Sequence, residues 1–121
     1  MARFLKQGNG WRLGWDGEAP RYKAMVGGDN WAFELTEAEY QAFCRLVAQL
    51  AATMTQMAEE LMEEERISCE AESEGIWVGV EGFPLAYDLR LIVSGDRQCE
   101  GNWSPDAVPA MVQALSSLQI F

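Results

Sequence analysis

Carboxylates, thiols and indoles are the side chains with chemistry to offer in this chain of 121 residues, which has 19 Asp and Glu, three Cys, five Trp and no His. Without histidine, the commonest general base near neutral pH and the commonest metal ligand are both missing. Triads built on His, zinc sites of the His or mixed Cys/His kind and haem held by His are therefore excluded. Glutamate is concentrated in one stretch, where Glu59, Glu60, Glu63, Glu64, Glu65, Glu70, Glu72, Glu74 and Glu81 face Arg66 as the only cation. Such a block offers oxygen ligands to Ca²⁺ or Mg²⁺, yet it lacks the D-x-D-x-D-G spacing of a dedicated calcium loop. Nor does any pair, flanked by pocket aromatics, stand out as the two carboxylates of glycoside hydrolysis. No catalytic residue, cofactor or metal is expected. The block is then either a solvated acidic face or a docking surface for a basic partner. Glutamates at the C-terminal end of a helix oppose its dipole, and that locally unfavourable choice favours a use.

Cys44, Cys69 and Cys99 are odd in number and have no C-x-x-C spacing. They read as small buried hydrophobes in a reducing, cytoplasmic setting. The sharper alternative, a redox pair between Cys69 and Cys99, requires their strands to be neighbours. Glu70 and Glu72 beside Cys69 would disfavour a thiolate. Among the tryptophans, Trp77 falls on the side opposite Ile76, Val78 and Val80 and next to Gly79, which marks an exposed aromatic on a sheet face. The candidate partner surface is therefore Glu63, Glu64, Glu65, Glu70, Glu72, Glu74 and Trp77.

The net charge of −10 is uneven. Residues 1–23 carry Arg3, Lys6, Arg12, Arg21 and Lys23 against Asp16 and Glu18, interleaved with Phe4, Trp11, Trp15 and Tyr22. Cations mixed with aromatics track phosphates and stack bases. Arg12, Arg21, Lys23 and Trp15 are accordingly the residues of an alternative, nucleic-acid reading. Five cations on so acidic a protein make a weak electrostatic funnel, and overall charge disfavours that reading. Gly8-Asn9-Gly10 and Gly27-Gly28 match neither phosphate-loop pattern and read as turns.

These residues must be held by strands and helices that the periodicity marks out. Arg3 to Gln7, the alternating Trp11-Leu13-Trp15, then Tyr22-Ala24-Val26 and Trp31-Phe33-Leu35 predict an antiparallel meander, with a tight turn at Gly27-Gly28-Asp29-Asn30. Thr36-Glu37-Ala38-Glu39 is a capping box. After it Tyr40, Phe43, Val47, Leu50, Met54, Met57 and Leu61 step by three and four, predicting a helix from Glu37 to about Glu64. At 1.5 Å per residue that is ~42 Å, long enough that its far end, with Met54, Met57 and Met62, needs a partner surface of its own. The seam predicts a helix packed on its own sheet, with pairing across a homodimer as the alternative to a monomer. Further strands are predicted at Ile67 to Ser73, Ile76 to Glu81, Leu85 to Val93 and Arg97 to Trp103. A second helix follows with Asp106 as its cap and Val108, Met111, Val112, Leu115 and Leu118 as its apolar face, and Ile120-Phe121 close the chain. A shift of 68 residues superposes Thr36 on Ser104, a hint of two similar halves. The expected fold is α+β, a single domain over 1–121. It has two antiparallel β-meander-plus-helix halves (ββββα-ββββα), roughly 1–65 and 66–121, with the long first helix packed on the sheets. No apolar run approaches the ~18 residues of a membrane span, and none of signal-peptide length follows Arg3 and Lys6.

Gly10-Trp11-Arg12-Leu13-Gly14, Val26-Gly27-Gly28, Trp31-Ala32-Phe33-Glu34-Leu35-Thr36 with Glu39, and Gly101-Asn102-Trp103 together form a pattern. The sequence resembles a small family of uncharacterised cyanobacterial and plastid proteins, a domain of unknown function, over essentially the whole chain. The resemblance implies a fold of two sheet-then-helix halves. That arrangement is similar to the one in the Whirly and PC4-type single-stranded-DNA-binding regulators, and it implies no activity. The reading of the residues is a small acidic, non-enzymatic binding or scaffold protein that engages a protein partner through its acidic patch. The alternative is a single-stranded nucleic-acid-binding regulator using the N-terminal basic-aromatic segment.

Overall fold

The computed structural model describes residues 3–60 and 64–117. Leu61, Met62, Glu63, Leu118, Ile120 and Phe121, which the sequence reading assigned to helix seams, the acidic patch and the chain end, lie outside the described residues. Eight strands and two helices follow in the order β1 (Arg3–Gly8), β2 (Trp11–Asp16), β3 (Ala24–Gly27), β4 (Ala32–Leu35), α1 (Glu37–Glu59), β5 (Ile67–Ser73), β6 (Ile76–Phe83), β7 (Ala86–Val93), β8 (Cys99–Trp103) and α2 (Val108–Ser117). They form two four-stranded antiparallel meanders, β1-β2-β3-β4 and β5-β6-β7-β8. The fold is the expected ββββα-ββββα.

The two meanders share a register. In the first sheet Leu5, Gly14, Met25 and Glu34 lie in one cross-strand row. In the second, Glu70, Gly79, Arg90 and Asn102 do. Through the third strand the halves correspond with a shift of about 65 residues, and beyond it with the shift of 68 seen between Thr36 and Ser104. The difference arises in one turn: Asp29-Asn30 closes the first hairpin after the Gly28 N–H bonds the Trp31 carbonyl, whereas Ser94 to Gln98 spans the second.

Helix α1 starts as its sequence requires. The Glu39 N–H donates to Thr36 Oγ1 at 3.1 Å, and Glu39 Oε1 accepts from the Thr36 N–H at 2.9 Å. Its seam is buried from Tyr40 through Met54. The helix ends at Glu59, with Glu60 as its cap, so it measures about 34 Å and not 42 Å. Of the far-end residues expected to need a partner surface, Met54 is already fully buried within the chain and the Met57 side chain is half-buried behind it. The second helix also starts later than expected. The Ala107 and Val108 N–H groups both bond the Ser104 carbonyl, which makes Ser104 to Ala107 a turn and removes Asp106 from the cap. Two strands are shorter than their alternation suggested. Tyr22 stays in the loop before β3, its ring flanked by the guanidinium groups of Arg21 at 5.2 Å and Arg97 at 4.8 Å. Before β8, Gln98 takes φ 49° and Arg97 turns out of line.

The halves do not fold apart. Helix α1 packs on β4, on β5 and β6 of the second sheet and on α2, while α2 touches β1 of the first sheet as well as β7. One apolar cluster takes residues from both sheets and both helices. Trp103, in β8, lies 5.8 Å from the Phe43 ring and 5.1 Å from Trp31, and its Nε1 donates to the Gly27 carbonyl at 2.9 Å. Arg97 completes the junction by bonding the Glu34 carbonyl and the Glu39 carboxylate of the capping box.

The β5–β6 turn places Glu74 at φ 54° and Gly75 at φ 83°, the double left-handed pair of a tight hairpin that favours Asn-Gly. Glu74 has a pairing partner, Arg45 at 3.3 Å, but both side chains are more than half exposed and such pairs contribute little. Glu74→Asn is expected to stabilise the protein by about 1 kcal/mol through relief of left-handed strain. A rise in the urea midpoint without a change in slope is the readout, and a fall would show that the Arg45 pair outweighs the strain.

Candidate functional site

Alternation along β6 sends Ile76, Val78 and Val80 into the core and leaves Trp77, Gly79 and Glu81 on the outer face. Gly79 has no side chain to fill its place, and the Trp77 indole folds down over it: a Cβ on Gly79 would stand 2.4 Å from the ring. The result is a half-buried aromatic plate in the middle of a sheet. Around it is a depression of about 180 Å³ lined by Glu70, Trp77, Asp88, Arg90 and Asn102 among others. The strand register supplies the surroundings. Glu72 is opposite Trp77 and Glu70 opposite Gly79 on β5, Arg90 flanks Gly79 on β7, and Glu81 faces Asp88. Glu100 pairs with Ile92 one strand further on.

The charge of this face is one-sided. Glu70, Glu72, Glu81, Asp88 and Glu100 stand against Arg90, with Arg66 at the sheet margin. Arg90 is held by the Glu100 carboxylate, and Arg66 by Glu81 at 3.2 Å. Glu70, Glu72 and Asp88 have no ion pair among the described residues. An indole face set in an uncompensated negative field attracts a guanidinium or ammonium group, by the ring quadrupole at close range and by the carboxylates at longer range.

Glu63 lies outside the described residues, and the structure places the remaining acidic candidates elsewhere. Glu64 and Glu65 are exposed between α1 and β5, and Glu74 sits at the opposite end of β5, about 20 Å away along a strand of that length. Of the sequence candidates among the described residues, only Glu70, Glu72 and Trp77 share one face. Glu81, Asp88, Arg90, Glu100 and Asn102 were missed, although the Gly82-Phe83-Pro84-Leu85 turn contains the information that sets Glu81 beside Asp88.

The N-terminal candidates do not converge either. Arg12 donates from Nε to the Gly28 carbonyl and from Nη2 to the Trp31 carbonyl, both at 2.8 Å. Lys23 Nζ donates to the Gly17 and Ala19 carbonyls. Trp15 is buried, 6.1 Å from the Tyr40 ring, and Arg21 lies exposed over Tyr22. Cys44 is buried, whereas Cys69 and Cys99 are half-buried and not the fully buried hydrophobes expected. Burial pushes Cys44 up to about 11, with the Tyr40 hydrogen bond only partly opposing it. The proposed pairing of Cys69 with Cys99 is excluded by topology: they lie on β5 and β8, the two edges of one sheet. Three strand spacings amount to ~14 Å, twice the reach of a disulfide. Among the described residues no group of three or more His, Cys, Asp or Glu could hold a metal ion, and no helix is long and apolar enough to cross a membrane.

A family model described as a domain of unknown function (DUF1818) matches residues 6–118. The chain is similar to a crystal structure of a protein with unknown function, described as from the DUF155 family, from Prochlorococcus sp. NATL2A. The two share 28% identity with a TM-score of 0.87, over 97% of this chain and 98% of that one. No curated protein matches the chain significantly.

Proposed function

The chain belongs to the DUF1818 family of unknown function, and we propose that it is a non-enzymatic, cytoplasmic protein-binding module whose second sheet receives a basic segment of a partner protein. The observation that carries this reading is the Trp77 plate over Gly79, half-buried and ringed by Glu70, Glu72 and Asp88, which have no ion pair among the described residues, while Arg90 beside it is held by Glu100. An arginine or lysine side chain would lie on the indole, and its neighbours in the partner would meet the carboxylates of β5. Glu64 and Glu65 extend the negative field toward the start of that strand. Glu63 belongs to the same acidic run, and Glu74 would act at its far end.

The alternative of single-stranded nucleic-acid binding, which rests on the resemblance to the Whirly and PC4-type arrangement, has weaker support. Of Arg12, Arg21, Lys23 and Trp15, only Arg21 is both cationic and uncommitted to a backbone carbonyl. Affinity capture from native lysate, with and without nuclease, separates the two. Partners are expected to survive nuclease and to disappear when the bait is the folded Glu70→Lys/Glu72→Lys variant. An identical partner profile for that variant and the parent would contradict the proposal, and a profile abolished by nuclease would favour the alternative.

A further inference from the structure

Gly14 occupies in the first sheet the register position that Gly79 occupies in the second, and it too leaves a depression on the outer face. No tryptophan covers this one. Arg12, which stands two residues before Gly14 as Trp77 stands before Gly79, is drawn aside to the Gly28 and Trp31 carbonyls. What remains is an open groove of about 550 Å³ lined by Arg3, Leu5, Gly14, Tyr22, Lys23 and Met25. That volume falls within the ~300–1,000 Å³ of small-molecule sites.

The groove is built in advance of any ligand. Its floor is the Gly14 backbone, and a Cβ there would meet the Met25 side chain at 3.4 Å and the Phe4 carbonyl oxygen at 3.7 Å. Leu5, 56% exposed, stands on one side. On the other, the loop 17–23 is braced as a wall by Lys23 Nζ, which holds the Gly17 and Ala19 carbonyls at 2.9 and 2.8 Å. An ammonium has three donors, so one Lys23 N–H is left for a ligand. Charge is polarised across the groove. Arg3 and Lys23 are at one end with Asp16 between their strands, while Glu34 follows Met25 at the β4 side. This lies in the cation-rich segment of an otherwise acidic protein.

We propose that this groove binds an amphipathic anion. Its apolar body lies on Gly14 between Leu5 and Met25, and its carboxylate or sulfonate head is directed to Arg3 and Lys23, away from Glu34. An apolar floor accounts for affinity, and the cations set the orientation of the ligand.

The test is titration of the intact chain with anilinonaphthalene sulfonate, an aromatic anion of this class, and its displacement by decanoate. A saturable one-to-one enhancement of dye fluorescence, competed by decanoate, is expected. Gly14→Leu fills the floor and should weaken binding about tenfold or more, and Arg3→Glu several-fold with a reduced salt dependence. If Gly14→Leu does not fold, Gly14→Ala carries the same test with a smaller loss. Leu85→Ser, on the hairpin where Leu85 is 70% exposed, should leave binding unchanged. Absence of saturable binding, binding undiminished by the Gly14 variants, or binding lost in Leu85→Ser would overturn the proposal.

Discussion

Trp103→Ala is expected to lower the unfolding free energy by about 3–5 kcal/mol, the cost of deleting a large core side chain and leaving its cavity. Trp103 is 1% exposed. It lies between Phe43 of α1 and Trp31 of the first sheet, so its loss empties the junction between the halves. The deletion also removes the donor to the Gly27 carbonyl, and a buried group left unpaired adds to the penalty. Trp103→Phe keeps most of the volume and isolates the hydrogen-bond share, about 1–3 kcal/mol. Urea denaturation followed by both tryptophan emission and far-ultraviolet circular dichroism checks these values. A single transition by both probes is expected, because each helix packs against the other half's sheet and we propose that 1–121 is one domain. Separate transitions for the halves would contradict that proposal.

Glu70→Lys/Glu72→Lys is expected to weaken binding of an arginine-rich peptide by about two orders of magnitude at low salt, with a smaller loss at high salt. Both carboxylates are exposed on β5 without ion pairs among the described residues, so reversal replaces attraction by repulsion at two positions beside the plate. Screening shrinks that difference once the Debye length falls to a few ångströms. Trp77→Ala acts at short range and should cost about 2- to 30-fold, the span of a cation–π contact from exposed to desolvated, with little dependence on salt. The Glu70→Lys/Glu72→Lys change should shift the unfolding midpoint little, since exposed substitutions stay within about 0.5 kcal/mol. Calorimetric titration of the three proteins in two salts gives all of these comparisons. A Trp77→Ala loss that vanished at high salt would show the indole to be incidental.

Local pattern made the fold readable. The Thr36–Glu39 box, the Tyr40 to Met54 seam and the alternation of Trp11-Leu13-Trp15 are each dictated within a few residues, and all are present as expected. The site was harder because it depends on which strands become neighbours. Trp77 beside Gly79 was legible from β6 alone, whereas Asp88, Arg90 and Asn102 enter only through the register of two strand pairs, β6 with β7 and β7 with β8. Clustering along the chain misled for the same reason. Glu64, Glu65 and Glu74 are close to Glu70 in sequence, but an extended strand carries them apart, and alternation puts only Glu70 and Glu72 beside the indole. The basic segment misled in another way. Composition cannot show that Arg12 and Lys23 are anchored to backbone carbonyls, since those bonds form only when the Asp29-Asn30 turn and the loop 17–23 are in place.

The central claim, that the Trp77 face receives a basic segment, is tested most directly by a nitrogen–proton correlation spectrum recorded during titration with an arginine-rich peptide. Five tryptophans give five indole signals, and Trp77→Phe assigns the relevant one. The Trp77 indole and the amides of Glu70, Glu72, Gly79 and Arg90 should shift together and saturate, while the Trp11 and Trp103 indoles in the core stay in place. A Trp77 signal that does not move at peptide saturation, or shifts confined to Arg12 to Lys23 on titration with single-stranded DNA, would contradict the account.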